Sequence, residues 1–172
     1  MRNAIWIPAA AMMMAVPAAA QTVTLAPGEG VSVTSPGPAP VVTRMKASLT
    51  SFEAAVVRQF EANLFPDAMG ANSATVSGEG LPEPEPIAPS RFVAKFMAIG
   101  GGKAALLVLE NGYDQAIAYR ARITVKGKTT PTDVCTVLPG KRGFENWPYA
   151  IEKIELSAIA LEKYDGGKPR CE

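Results

Sequence analysis

Five aromatic or basic side chains cluster within a nine-residue segment, residues 141–149. Aromatic residues on loops often anchor contacts with a partner, and a neighbouring arginine adds directional hydrogen bonds. The pattern predicts a loop between two strands that binds a protein or a glycan. Two arginines on the polar face of an earlier strand extend the same surface. The predicted binding residues are Lys141, Arg142, Phe144, Trp147, Tyr149, Arg120 and Arg122.

A second interpretation of this segment is structural. Phe144 and Trp147 are large apolar side chains that can close the open end of a fold, while Lys141 and Arg142 stay in solvent. Both interpretations stay open at the level of sequence.

The chain contains no histidine, which limits the catalytic chemistry available to it. Ser-His and Cys-His nucleophile pairs, histidine-ligated zinc and the commonest general base near neutral pH are all excluded. A carboxylate-based hydrolase remains as an alternative, with Asp114, Asp133 or Glu145 as candidates, provided that two of them lie close together in a concave site. We expect a non-catalytic protein.

No motif for a cofactor or a metal is recognisable. The string Gly100-Gly101-Gly102-Lys103 lacks the Ser or Thr and the first glycine of a phosphate-binding loop, which favours a plain turn. Glu83 and Glu85 alternate with prolines in a segment where nothing desolvates them. The expectation is no cofactor and no metal.

The two cysteines, Cys135 and Cys171, allow one disulfide connectivity. In an oxidising compartment an even cysteine count favours a bridge over free thiols. Closing a loop of this length stabilises a fold by about 4 kcal/mol in the chain-entropy model. The bridge would also tie the C-terminal tail to the domain.

The first twenty residues have the features of a secretory signal peptide. Arg2 precedes an uncharged apolar stretch, residues 4–16, which is shorter than the roughly 20 residues that a membrane span needs. Small residues at 18–20 form a cleavage pattern before Gln21. We expect Sec-dependent export of a soluble protein to the periplasm. Full secretion and an uncleaved anchor are the alternatives.

The charge of the exported part is balanced. The full chain has 17 basic and 16 acidic residues, and Arg2 leaves with the signal peptide. Nucleic-acid binding and a polybasic membrane patch both require excess clustered Lys and Arg. Composition therefore predicts neither nucleic acid nor membrane as a partner.

The N-terminal half contains one predicted helix. Residues 21–43 are rich in Gly, Pro, Ser and Thr, which indicates either a flexible arm or a short hairpin around residues 26–30. Residues 44–90 begin with a short strand, followed by a helix from a capping box at Thr50 and Glu53 to Pro66. Apolar side chains at four-residue steps form its buried stripe. A proline-rich connector, extended and solvated, completes this part.

From residue 91 the pattern is typical of antiparallel strands. Strands are predicted at residues 91–99, 104–109, 116–125, 133–138 and 152–162, separated by Gly and Pro. This density predicts a mainly β fold, with an immunoglobulin-like β-sandwich over residues 91–162, preceded by a strand and one short helix. Residues 91–172 would form the domain with its disulfide-tied tail.

Three functions follow from these observations. The first is a periplasmic binding or interaction module of unknown ligand, with an envelope protein or a glycan as partner. The second is a structural or chaperone-like envelope accessory that offers a sheet edge to a partner strand. The third is the carboxylate-based hydrolase.

Overall fold

The computed structural model of the chain describes residues 22–37, 39–61 and 81–172. The predicted signal peptide, residues 1–20, and the cleavage site before Gln21 lie outside the described residues. None of the described helical residues forms a helix long and apolar enough to cross a membrane.

Two antiparallel sheets pack face to face, and one helix covers the outer face of the larger sheet. In the described residues, the strands are β1 (Val23–Leu25), β2 (Glu29–Val33), β3 (Val42–Lys46), β4 (Phe92–Ile99), β5 (Ala104–Asn111), β6 (Ala116–Val125), β7 (Lys128–Thr132), β8 (Arg142–Trp147) and β9 (Lys153–Glu162), and the helix is α1 (Ser51–Glu61). The smaller sheet has the order β1-β9-β6-β7 and the larger sheet β3-β2-β4-β5-β8. The mainly β fold, the β-sandwich and the one short helix are therefore confirmed. The immunoglobulin-like type stays a prediction.

The sandwich begins earlier in the chain than residue 91. β1 pairs with β9 in the smaller sheet, and β2 pairs with β3 and β4 in the larger one. The segment predicted as an arm or a hairpin thus contributes one strand to each sheet. Both strands are too short to be stable alone. They are stabilised by pairing with β9 and β4 and by burial of their apolar side chains in the core, and the local sequence does not reveal these partners.

The core between the sheets follows from period-two alternation. Inward side chains such as Phe92, Leu107, Leu109 and Ile117 have no exposed area. β5 is apolar without alternation because both of its faces are buried. Leu107 and Leu109 face the smaller sheet, and Leu106 and Val108 face α1.

The capping box of α1 forms as the sequence predicts. The Glu53 amide donates to Thr50 Oγ1 at 3.3 Å, and the Thr50 amide donates to Glu53 Oε2 at 2.8 Å. Phe52, Val56 and Phe60 are buried against the larger sheet. The predicted end of the helix at Pro66 lies outside the described residues.

Two elements of the C-terminal half differ from the prediction. The segment predicted as a strand at residues 133–138 forms only isolated bridges. The strand that follows β6 is instead β7, which begins directly after the Lys126-Gly127 turn and pairs with β6. In β9 the inward residues shift phase after Leu156, because Ala158 adopts a φ of 51° at a break in the register with β6. This irregularity is a β-bulge, which explains the spacing of three between Leu156 and Ile159.

The proline-rich connector is extended, as predicted, and its middle contacts the fold. Glu85 Oε1 accepts a hydrogen bond from the Ser51 amide at 3.2 Å, and the Glu85 carbonyl accepts one from Arg142 Nη2 at 2.6 Å. The connector therefore links the beginning of α1 to β8 and is only partly solvated.

Candidate functional site

The aromatic and basic segment is a strand. Residues 142–147 pair with β5 along their whole length as β8, so the prediction of a loop is wrong. Phe144 faces α1 with no exposed area, and Trp147 faces the smaller sheet at 6 % exposure. Gly143, Pro148 and the dense aromatics are typical of a loop, but the aromatics occupy strand positions with an apolar layer on either side. Phe144 and Trp147 therefore contribute to two separate cores.

The remaining residues of the predicted binding set lie on different faces. Lys141 and Tyr149 flank β8 and are exposed. Arg120 and Arg122 are exposed on β6, where Arg120 pairs with Glu172 at 2.9 Å and Arg122 with Glu155 at 3.9 Å. The structure does not unite these side chains in one surface. A binding role for any of them stays a prediction.

Arg142 belongs to a buried cluster of four charges under α1. Lys95 Nζ lies 2.8 Å from Glu53 Oε1 and 3.3 Å from Glu110 Oε1. Arg142 Nε lies 3.4 Å from Glu110 Oε1, and its guanidinium is 5.8 Å from the Phe52 ring centroid. Two cations and two anions balance, which is the condition under which buried charges are tolerated. The cluster fixes α1 on the sheet, and sequence analysis missed it because its members are far apart in the chain.

Burial and the neighbouring Lys95 have opposite effects on the pKa of Glu53. Its removal from water raises the pKa of the carboxyl, and the Lys95 ammonium counteracts that rise. The side chain has no exposed area, so its charge depends on Lys95 as its partner. This dependence indicates a structural role.

Glu145 is a buried carboxylate without such a partner. It lies on the inward face of β8, where its Oε1 accepts hydrogen bonds from the Cys135 amide at 2.9 Å and from the Tyr119 hydroxyl at 3.4 Å. Burial raises its pKa to about 7. No ion pair reaches it from the described residues.

The three candidate carboxylates do not form a catalytic pair by direct contact. Asp114 and Asp133 are exposed, and within the described ranges no hydrogen bond joins either to Glu145. Nor do these ranges contain a group of three metal-ligating side chains.

The disulfide between Cys135 and Cys171 is present, as the sequence predicts. It holds the C-terminal tail against the segment after β7. The Val134 and Glu172 backbones exchange two hydrogen bonds, of 2.9 and 3.0 Å. The Arg120–Glu172 pair lies between two cavities of about 200 and 270 Å³, beside the paired backbones of Val134 and Glu172.

Two of the four sheet edges in the described residues, β1 and β7, are protected. β1 has only three residues, and the Thr24 carbonyl accepts a hydrogen bond from Arg44 Nη1 at 3.0 Å. β7 contains Pro131, which has no amide to offer. β8, the third edge, has nearly all its side chains buried on both faces of the sheet, so it presents few side chains to a partner strand.

The fourth edge, β3, is open. Its residues are exposed except Val42, which is half-buried. Hydrogen bonds at each end, Thr34 N to Val41 O and Ala47 N to Gly28 O, set which β3 residues bond to β2. In an antiparallel ladder bonding alternates, so Thr43 and Met45 bond to β2. The backbone groups of Val42, Arg44 and Lys46 therefore point outward, and no hydrogen bond reaches them from the described residues. We name this row of outward groups the β3 edge.

The β3 edge was not recognisable from the sequence as a candidate site. Its only signal is the alternation Val-Thr-Arg-Met-Lys, which is short and places basic residues at every second position. Whether such a strand is central or at an edge depends on which other strands pair with it, and this is a property of the fold.

Comparisons of the chain with protein-family models, with curated proteins and with solved structures found no match.

Proposed function

We propose that this chain is an exported, non-catalytic interaction module that binds an extended segment of another envelope protein along the β3 edge. The observation that carries the proposal is the contrast between β3, whose side chains are exposed and whose outward backbone groups are unbonded in the described residues, and the other three edges. Of these, β1 is short, β7 contains a proline and β8 has buried side chains. Addition of a strand to an open edge uses main-chain hydrogen bonds for affinity and side-chain pockets for specificity.

The length and surroundings of β3 support this role. Five residues is a common length for a paired strand. Val41 is 57 % exposed immediately before the strand, and Met45 is 38 % exposed within it. These are two of the four large hydrophobic side chains that are exposed in the described residues. A partner strand would cover apolar area as well as the backbone.

The chemistry of the buried groups supports a non-catalytic protein. The Glu53 cluster is internally neutralised, and Glu145 contacts Tyr119 and a backbone amide without contact to a second carboxylate in the described part of the chain. Neither arrangement has the nucleophile, base and orienting group of a catalytic set.

Export is supported by two features. The N-terminal residues have the signal-peptide pattern, and the disulfide is of the kind that persists in oxidising compartments. N-terminal sequencing of the protein from a periplasmic fraction should begin at Gln21. A cytoplasmic protein with an intact Met1 would contradict export.

The edge itself is tested with a displayed library of random ten-residue peptides selected on the mature chain. Lys46→Pro removes one outward amide, and Lys46→Gln is the matched control that keeps it. We expect enriched peptides to bind the unmodified chain and the Lys46→Gln variant, and to lose most binding to Lys46→Pro. Peptides that bind all three proteins equally, or no enrichment at all, would contradict the proposal.

A further inference from the structure

The β3 edge also has a charge pattern that specifies its occupant. Resting on the proposed function, we infer that the partner is an extended protein segment with acidic side chains at two alternate positions and an apolar side chain two positions later, paired antiparallel to β3.

The pattern follows from the faces of the strand. Val42, Arg44 and Lys46 point to one face, because side chains alternate along a strand. Directly opposite residues of an antiparallel pair share a face, with Cβ atoms about 4.5–5.5 Å apart. Reading along the partner, the first residue therefore meets Lys46, the third meets Arg44 and the fifth meets Val42. Acidic side chains at the first and third positions form ion pairs, and an apolar fifth residue covers the half-buried Val42.

Of the two cations, Lys46 is not neutralised within the described structure, and Arg44 pairs with one carboxylate and donates to the Thr24 carbonyl. Glu29 lies opposite Lys46 in the register, but its Oε2 accepts a hydrogen bond from the Ala26 amide at 2.8 Å and lies 3.8 Å from Arg44 Nη1. Lys46 makes no ion pair with any described residue. Glu29 is thus the one described carboxylate beside two cations and pairs only with Arg44, so the β3 edge keeps an excess of positive charge.

The other face of β3 determines which side chains suit the second and fourth positions of the partner. Thr43 and Met45 face away from the smaller sheet, and Met45 is exposed. Apolar or β-branched residues at the second and fourth positions of the partner would pack against them.

The same charges disfavour a second copy of the chain. Antiparallel self-pairing centred on Arg44 would place Arg44 opposite Arg44, and a shift of two residues toward the end of the strand would place it opposite Lys46. Like charges directly opposite destabilise a strand pair. Basic residues on an edge are a common device against self-association, and they still permit an acidic partner.

The test uses three synthetic ten-residue peptides with a common pattern of valine and threonine. The first and third positions of the central five are Glu in one peptide, Gln in the second and Lys in the third. Binding to the mature chain is measured by fluorescence anisotropy at low salt. Because each cross-strand ion pair contributes a fraction of a kcal/mol to about 1 kcal/mol, we expect the Glu peptide to bind about fivefold tighter than the Gln peptide. The Lys peptide should bind most weakly.

The Lys46→Glu variant supplies the matched reversal. It should reduce or remove the advantage of the Glu peptide and improve the Lys peptide, with an unchanged thermal unfolding midpoint. If Lys46→Glu fails to fold, Lys46→Gln replaces it. The difference in binding free energy between the Glu and Gln peptides should then fall to about half of its value for the unmodified chain.

The outcomes separate this inference from the proposed function. Equal affinity for the Glu, Gln and Lys peptides, lost in each case on Lys46→Pro, would overturn the acidic preference and leave edge binding intact. Failure of all three peptides to bind would contradict both the acidic preference and the proposed binding at the β3 edge. A concentration-dependent dimer that dissociates on Lys46→Pro would identify a second copy as the occupant and overturn the inference.

Discussion

The two edges of the larger sheet use basic residues in opposite ways. At β8, Arg142 is buried and shares its carboxylate partner Glu110 with Lys95 beneath α1. At β3, Arg44 and Lys46 are exposed, and the outward backbone has no partner among the described residues. The buried, neutralised Arg142 is part of the packing beneath α1, whereas the exposed cations of β3 contribute little to the packing of the fold. The contrast predicts large effects on stability at β8 and small ones at β3.

The largest expected effect is the loss of Phe144. Its ring centroid lies 6.4 Å from those of both Phe52 and Phe60, and it has no exposed area. Phe144→Ala should lower the free energy of unfolding by about 4 to 5 kcal/mol, because a cavity replaces the ring. Chemical denaturation measures this change. Met45→Ala on β3 is the control and should cost less than about 1 kcal/mol.

Removal of Lys95 should have the next largest effect. Lys95→Met leaves Glu53 buried without its closest cation, at a cost of about 3 to 4 kcal/mol. The double variant with Glu53→Gln should recover part of the loss, since an uncharged amide at this position still serves the capping box. Lys46→Met on β3 should leave the midpoint of denaturation almost unchanged. Equal costs at Lys95 and Lys46 would invalidate the comparison.

Glu145 should give the fold a pH dependence. Its pKa rises from an ordinary 4.5 to about 7 in the folded state, so the folded chain binds the proton more tightly than the unfolded chain. This contribution to stability is fully present below pH 4.5, falls by about 3 kcal/mol as pH rises to 7, and is then constant. Thermal unfolding of the native chain and of Glu145→Gln between pH 5 and 8 measures the difference. Parallel profiles for the two proteins would show that Glu145 does not titrate in this range.

The smallest expected effect tests which amides of β3 point outward. Lys46→Pro removes an outward amide and should change the free energy of unfolding by less than about 0.5 kcal/mol. Met45→Pro removes an amide that bonds to β2 and should cost at least about 1 to 3 kcal/mol. Reversed magnitudes would mean that the pairing of β3 is shifted by one residue.

Local patterns predicted the elements whose own residues define them. The capping box at Thr50 and Glu53, the alternation of β6 and the disulfide were all correct, because each depends on residues that are close together or on a single possible pairing. The β8 strand was missed because its two faces are covered by α1 and by the smaller sheet, which lie far away in the sequence.

The candidate site was predicted less well than the fold. The β3 edge depends on the absence of a neighbouring strand among the described residues, and the Lys95–Glu53 pair joins residues that are 42 positions apart. Neither property leaves a periodic signal. The phase shift in β9 is visible in the sequence as the spacing of three between Leu156 and Ile159. This spacing is the only sign in the sequence of the bulge at Ala158.

Amide hydrogen exchange along β3, with and without the Glu peptide, tests the central claim most directly. The account predicts that the Val42, Arg44 and Lys46 amides exchange rapidly in the free chain and at least about tenfold more slowly in the complex, because binding gives each of them a hydrogen-bond acceptor. The amides near Tyr149 and Arg120 should exchange at unchanged rates. Protection at Tyr149 or Arg120 without protection at the β3 edge would contradict the account.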